Sequence, residues 1–171
     1  KQMFESSVEL YGDNVAFRQR FVKGEPFGTV TYKEALSQVQ ALGTALVNMG
    51  LKGKRIALIG QNCYQWALSY LTIVGGLGVV VPLDKELGAS ELSQLCANSE
   101  ASAVIYSSKY EEIFSNLKDS GNTKLEVLVN MDNLSPLIEK GKELIASGDR
   151  SYLDAEIDPE EMGVLLFTSG T

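Results

Sequence analysis

The sequence contains no histidine. Ser-His-Asp triads, Cys-His pairs and imidazole-ligated metal sites are therefore closed to these residues acting alone. Only two cysteines, Cys63 and Cys96, are present. They form no CxxC pair and are expected as buried free thiols in a reducing compartment. Positive charge is scarce: 15 Lys and Arg stand against 22 Asp and Glu, a net charge of −7. The densest basic run, Lys52-Gly53-Lys54-Arg55, is too short to neutralise a phosphate backbone, which excludes nucleic acid as an expected partner. The surplus acid reads as solubility. No apolar run is long enough for a membrane helix, so no transmembrane segment is expected. The richest stretch, from Trp66 to Leu83, is broken by glycines at 75, 76 and 78 and by Pro82. Lys1-Gln2-Met3-Phe4 is not a signal peptide, and the expected location is cytoplasmic.

What is present is a globular composition, 44% hydrophobic with 16 glycines that punctuate apolar runs. Met3 to Tyr11 reads as a short amphipathic helix stopped by Gly12. Val15 to Val22 alternates, with Val15, Phe17 and Phe21 on one side. A turn at Lys23-Gly24-Glu25-Pro26 returns the chain through Phe27–Thr31 as a hairpin. Thr31-Tyr32-Lys33-Glu34 has the spacing of a capping box, and Leu36, Val39, Leu42, Leu46 and Met49 follow at helical intervals up to Gly50. Strands are then expected at Arg55–Gly60, Val79–Val81, Ala103–Tyr106, Leu125–Val129 and Gly163–Phe167. Between them lie helices that start near Asn62, Ser90, Ser108 and Ser135, the last with Pro136 in its first turn. Strands alternating with helices in this way predict an α/β fold. Its sheet is mainly parallel and covered by helices on both faces, with the N-terminal antiparallel hairpin added.

The chemistry is concentrated at the end, Gly163-Val164-Leu165-Leu166-Phe167-Thr168-Ser169-Gly170-Thr171. An apolar strand runs straight into small hydroxyl residues around a glycine. In open α/β sheets ligands bind beyond the carboxyl ends of strands. A glycine there lets backbone N–H groups approach an anion, and the hydroxyls add donors. The same composition also serves an ordinary Ser/Gly turn. Other nucleotide signatures are absent: Gly53-Lys54 and Gly141-Lys142 complete no P-loop, and the glycines at 75, 76 and 78 complete no dinucleotide fingerprint and read as a helix end.

Leu165-x-x-Thr168-Ser169-Gly170-Thr171 resembles the opening of the phosphate-loop signature of the adenylate-forming (AMP-binding) enzymes. These include acyl-CoA synthetases, peptide-synthetase adenylation domains and luciferases. Upstream segments agree in order and spacing: Thr29-Val30-Thr31-Tyr32-Lys33-Glu34-Ala35-Leu36, Lys54 to Ile59 followed by Gln61-Asn62-Cys63-Tyr64-Gln65-Trp66, and Gly76-Leu77-Gly78-Val79-Val80-Val81-Pro82-Leu83-Asp84. The resemblance implies an acyl-CoA synthetase-like N-terminal domain. Residues 1–171 would form the N-terminal part of the large adenylate-forming domain, cut inside the phosphate loop. It implies ATP, Mg2+ and coenzyme A as cofactors and a small-molecule carboxylic acid, above all a fatty acid, as substrate. Thr168, Ser169, Gly170 and Thr171 are the implied cofactor-binding residues. No catalytic or metal-binding residue of the family falls within the chain, so an inactive fragment that self-associates through its truncated face is expected. Two alternatives stay open: an adenylation domain that loads a carrier protein, and a non-catalytic small α/β binding module.

Overall fold

A computed structural model describes residues 1–21 and 24–168. Helix α1 (Gln2–Tyr11) leads into strands β1 (Val15–Gln19) and β2 (Gly28–Thr31), which pair antiparallel as the expected hairpin. The register shifts between Val15 and Phe17, and this bulge breaks the alternation expected of Val15, Phe17 and Phe21. Phe17 packs edge-on to Tyr64 at 5.0 Å between centroids, while Val15 and Phe21 are exposed. Helix α2 (Tyr32–Asn48) starts on the predicted capping box: Glu34 N–H donates to Thr31 Oγ1 at 3.2 Å, and Thr31 N–H donates to Glu34 Oε2 at 2.7 Å. These bonds hold the Glu34 carboxyl below its ordinary range, the backbone bond from Thr31 contributing most. Val39, Leu42 and Leu46 are buried and Leu36 half-buried. Met49, expected inward, is exposed because it lies one residue past the helix, just before Gly50 turns the chain at φ 81°.

Four strands, β3 (Lys54–Ile59), β4 (Gly78–Pro82), β5 (Ala103–Tyr106) and β6 (Val127–Asn130), form a wholly parallel sheet in the order β4-β3-β5-β6. Helices α3 (Tyr64–Thr72), α4 (Ala89–Ser99) and α5 (Glu111–Ser120) make the crossovers, and α6 (Ser135–Ala146) follows β6. Period-2 alternation splits the core by face. Ile56, Leu58, Val80, Ile105 and Val129 pack with residues of α2, α3 and α6. Ala57, Ile59, Val81, Val104 and Tyr106 pack with Leu92, Cys96 and Phe114 of α4 and α5. Both faces are therefore covered, as the near-continuous β-branched strands require. Both cysteines are free, Cys96 buried and Cys63 only half-buried. No helix among the described residues is long and apolar enough to cross a membrane.

Several local expectations are corrected by tertiary partners. The first residue of α3 is capped not by Asn62, which is exposed, but by Gln19 of the hairpin, whose Oε1 accepts from Tyr64 N–H. Ser108 and Glu111 form no capping box. The Ser108 hydroxyl donates to Asp132 Oδ2 at 2.7 Å, Glu111 Oε2 accepts from the Tyr106 hydroxyl at 2.8 Å, and a 3-10 turn precedes α5. Ser135 is the first helical residue of α6, with Leu134 at the cap position and Pro136 in the first turn as expected. Strand β6 starts at Val127 and not at Leu125, because the N–H groups of Glu126 and Val127 both donate to the Ser102 carbonyl before the ladder begins. Gly163–Phe167, expected as a full strand, is reduced to one parallel bridge between Val164 and Val80.

Candidate functional site

That single bridge fixes the direction of the last segment. Val80 N–H donates to Gly163 O at 3.1 Å and Leu165 N–H donates to Val80 O at 2.9 Å. Residues 163–165 thus run beside β4 in the common direction of the sheet, and the chain departs at the sheet's carboxyl edge. Leu165 turns its side chain into the core on the α4 and α5 face, while Leu166 is 65% exposed. Thr168 is exposed beyond it. Of the predicted cofactor-binding residues, Thr168 is thus placed at the edge where such sheets receive ligands. Ser169, Gly170 and Thr171 lie outside the described residues.

The same edge holds the point where the winding reverses. The chain leaves β3 for β4 on one side, then crosses back to β5 on the other. Beyond it, a crevice of about 480 Å³ is walled by Gln61 after β3, Ser107 and Lys109 after β5, Asp132 after β6, and Gln19 and Gln65. Its groups are engaged in holding loops together. Asp132 Oδ2 accepts from both the backbone N–H and the hydroxyl of Ser108, each at 2.7 Å, which ties the loops after β5 and β6. Gln61 Oε1 accepts from Lys85 Nζ at 3.2 Å, which ties the loops after β3 and β4. Tyr106 is pushed up to about 12 by burial and, next, by its bond to the Glu111 carboxylate, so it stays a neutral donor. The Ser107 hydroxyl is the exception, buried with no hydrogen-bond partner among the described residues. The one carboxylate–hydroxyl pair described here, Asp132 with Ser108, is spent on joining two loops, and the chemistry of the crevice is that of binding and positioning.

Two residues that hold the elements around the sheet together were not singled out from the sequence. Gln19 docks the hairpin on α3 through the Tyr64 amide and donates from Nε2 to Gln65 Oε1 at 3.0 Å. Only three-dimensional proximity reveals that pairing. Tyr152 sits in the polar stretch after α6, yet it is among the largest fully buried side chains. Its signal was a lone aromatic in a loop rich in Asp, Arg, Ser and Glu. Burial pushes its hydroxyl well above the ordinary tyrosine range, and the charge of Glu5 adds to the shift.

Comparison with known proteins agrees with this architecture. The sequence pattern of the AMP-binding enzyme family matches residues 4–171. The chain is 26% identical to long chain acyl-CoA synthetase 5 of Arabidopsis thaliana, over 99% of this chain and 28% of that protein. It is 28% identical to the chloroplastic long-chain fatty acid–acyl-carrier-protein ligase AEE15 of Arabidopsis thaliana, over 99% of this chain and 26% of that protein. The crystal structure of the N-terminal domain of FACL13 from Mycobacterium tuberculosis superposes with a TM-score of 0.81 at 17% identity, over 98% of this chain and 41% of that one. The chain therefore spans little more than a quarter of the length of these curated relatives. The match covers nearly the whole chain, and the chain belongs to the AMP-binding family of adenylate-forming enzymes.

Proposed function

We propose that residues 1–171 are the N-terminal part of the large domain of an ATP-dependent acid–thiol ligase, and that Thr168, Ser169, Gly170 and Thr171 open its phosphate loop. The observation that carries the reading is the parallel bridge between Val164 and Val80, which sends the chain out at the carboxyl edge of the sheet. In the reaction a carboxylate attacks the α-phosphorus of ATP, releasing pyrophosphate and forming an acyl adenylate, and a thiol then displaces AMP to give the thioester. The part of this chain is to orient the departing phosphates: the exposed Thr168 hydroxyl can donate to them, and the following glycine and hydroxyls would supply further donors. No cluster of acidic or thiol side chains among the described residues is arranged for a metal. Mg2+ would accompany the nucleotide phosphates and neutralise their charge, with Thr168 bonding to phosphate oxygen. The resemblance to long chain acyl-CoA synthetase 5 supports a fatty acid as substrate and coenzyme A as acceptor. The free cysteines support a cytoplasmic setting.

One observation favours a second acceptor: the relative AEE15 is named for an acyl-carrier protein. Both readings are tested by pyrophosphate release from Mg-ATP with a long-chain fatty acid, using the full-length protein, followed by thioester formation with coenzyme A or with an acyl-carrier protein. Thr171→Ala should slow adenylate formation while leaving thiol transfer from supplied acyl adenylate nearly unchanged. The 171-residue chain alone should release no pyrophosphate above a buffer control. Equal losses in both half-reactions on Thr171→Ala would mean that the loop does not act on the departing phosphates.

A further inference from the structure

Between α6 and Gly163 the chain has turns but no regular element; Tyr152 and Ala155 pin it by packing, and Lys1 Nζ adds bonds to the Leu153 and Ala155 carbonyls at 2.5 and 2.9 Å. Tyr152 is 2% exposed and lies between α2 and the end of α3. Its ring occupies the space over Gly43, where a Cβ would fall 2.4 Å from the ring. Its hydroxyl donates to the Thr72 carbonyl at 2.8 Å, and a Cβ on Gly75 would fall 2.5 Å from the same hydroxyl. Thr72 is where α3 loosens into the π-turn Ile73–Leu77, a local unwinding that leaves backbone groups in need of partners. That turn passes through Gly76 at φ 129° and feeds β4. Ala155 then closes on Gly76, where an added Cβ would fall 2.9 Å from the Ala155 Cβ. Tyr152 and Ala155 therefore fasten this strap to the amino end of β4, the strand beside which Gly163 lands.

Beyond these pins the chain reaches the sheet through one closed turn. Residues 156–162 border a crevice of about 240 Å³ beside Gly76, Gly78 and Val79, and a turn at Asp158, closed by Glu161 N–H to Asp158 O at 3.1 Å, takes up the length. The pairing that comes next is one bridge with two hydrogen bonds. Short slack before a weak pairing means that the anchor decides the register. A slip of one residue would turn Leu165 out of the core and shift Thr168 by about 3.3 Å along the strand.

We infer that Tyr152 is a positioning residue for the loop that begins at Thr168, acting through the register of residues 163–165 on β4. The inference rests on the reading of that loop as the phosphate loop. Tyr152→Phe removes only the hydroxyl and leaves the Thr72 carbonyl without it, and Gly75→Ala crowds the hydroxyl out from the opposite side. In the full-length protein as its gene encodes it, both variants should speed amide exchange at Leu165 and Val80 about fivefold, the weight of one net hydrogen bond, with β5 and β6 amides unmoved. KM for Mg-ATP should rise by a similar factor, while thiol transfer from supplied acyl adenylate keeps its rate. Unchanged exchange at Leu165, or acceleration spread equally over β5 and β6, overturns the inference, and so does faster exchange with an unchanged KM for Mg-ATP. A wild-type protein that consumes no ATP defeats the phosphate-loop reading by itself, and the exchange pattern still decides whether Tyr152 sets the register.

Discussion

Replacing Gly141 by alanine sets two physical rules against each other. In an exposed helix interior the change would stabilise by about 1 kcal/mol, because alanine loses less backbone entropy. Gly141 is instead buried in α6, and a Cβ built on it falls 1.8 Å from the Ala41 carbonyl oxygen, 2.4 Å from its carbon and 2.9 Å from its Cα. Each of these atoms is α2 backbone, so no rotamer change relieves the contact. Ordinary contact begins near 3.4 Å, and α6 must therefore lift off α2 by well over an ångström. Lifting it opens gaps around Ile138 and the buried α2 residues Leu42 and Leu46. Gaps of that size forfeit more than half of each contact's dispersion energy, which puts the cost of this overpacking at the upper end of its usual range, about 3 kcal/mol. Even after the helix-propensity gain, the variant should lose about 2 kcal/mol. Urea unfolding followed by circular dichroism reads this as a lower midpoint at unchanged slope. A midpoint that rises, as propensity alone requires, would refute the close backbone contact of α2 and α6.

Gln19→Ala should cost about 1 kcal/mol, as loss of a helix cap does, and should speed exchange of the Tyr64 amide on α3 although the substitution lies on β1. Stability should fall as pH rises above about 9 and keep falling to about 12. Burial raises Cys96 to about 11, and burial together with the Glu34 charge raises Tyr64 to about 12, so the unfolded chain releases these protons first and the folded state is penalised across that window. Cys96→Ala should flatten the lower part of the slope in pH-jump unfolding, and an unchanged slope would discount the thiol. The chain alone should self-associate at micromolar concentration through Val164, Leu166 and Phe167, all exposed beside the outer edge of the sheet. Leu166→Lys together with Phe167→Glu should restore a monomer in light scattering, and a wild-type monomer would count against the edge.

The sequence carried the elements well and their partners poorly. Val79-Val80-Val81 and Ala103-Val104-Ile105 have no polar alternation, and burial on both faces is the condition that such strands meet here. The Thr31–Glu34 capping box was legible because its donor and acceptor lie within one turn of chain. Where the cap comes from another element, local spacing misleads: Asn62, Ser108 and Ser135 have cap chemistry, but Gln19 takes the α3 amide and Asp132 takes the Ser108 hydroxyl. A hydrogen bond satisfied over a long sequence separation leaves no local pattern to read. The glycines at 75, 76 and 78 were legible as a helix end but not in their separate duties. Gly75 clears the Tyr152 hydroxyl, Gly76 takes φ 129°, and Gly78 leaves room for the Lys54 carbonyl of β3, which a Cβ would meet at 2.2 Å.

Gly163–Phe167 shows why the candidate site is half legible. An apolar strand states that its two faces want cover, but it does not state which neighbours provide the cover or in what register. Here one face is met, since Leu165 joins the core beneath α4 and α5, and one edge is met by Val80. The opposite face and outer edge, with Val164, Leu166 and Phe167, remain exposed. At about 25 cal/mol per Å² of apolar surface, a side chain left wholly in water forgoes roughly 1.5–3 kcal/mol of burial, and these three, 37–65% exposed, forgo part of it. A loop proposed to hold a charged phosphate to within fractions of an ångström cannot hang from so weak a pairing alone. Its position has to be fixed from its upstream end, and the upstream end is the strap that Tyr152 pins to α2, α3 and the start of β4. The residues that would touch the ligand are thus written in a short motif, while the residue that places them is a solitary buried tyrosine in a polar loop, recognisable only once its partners Gly43, Gly75 and Thr72 are brought together.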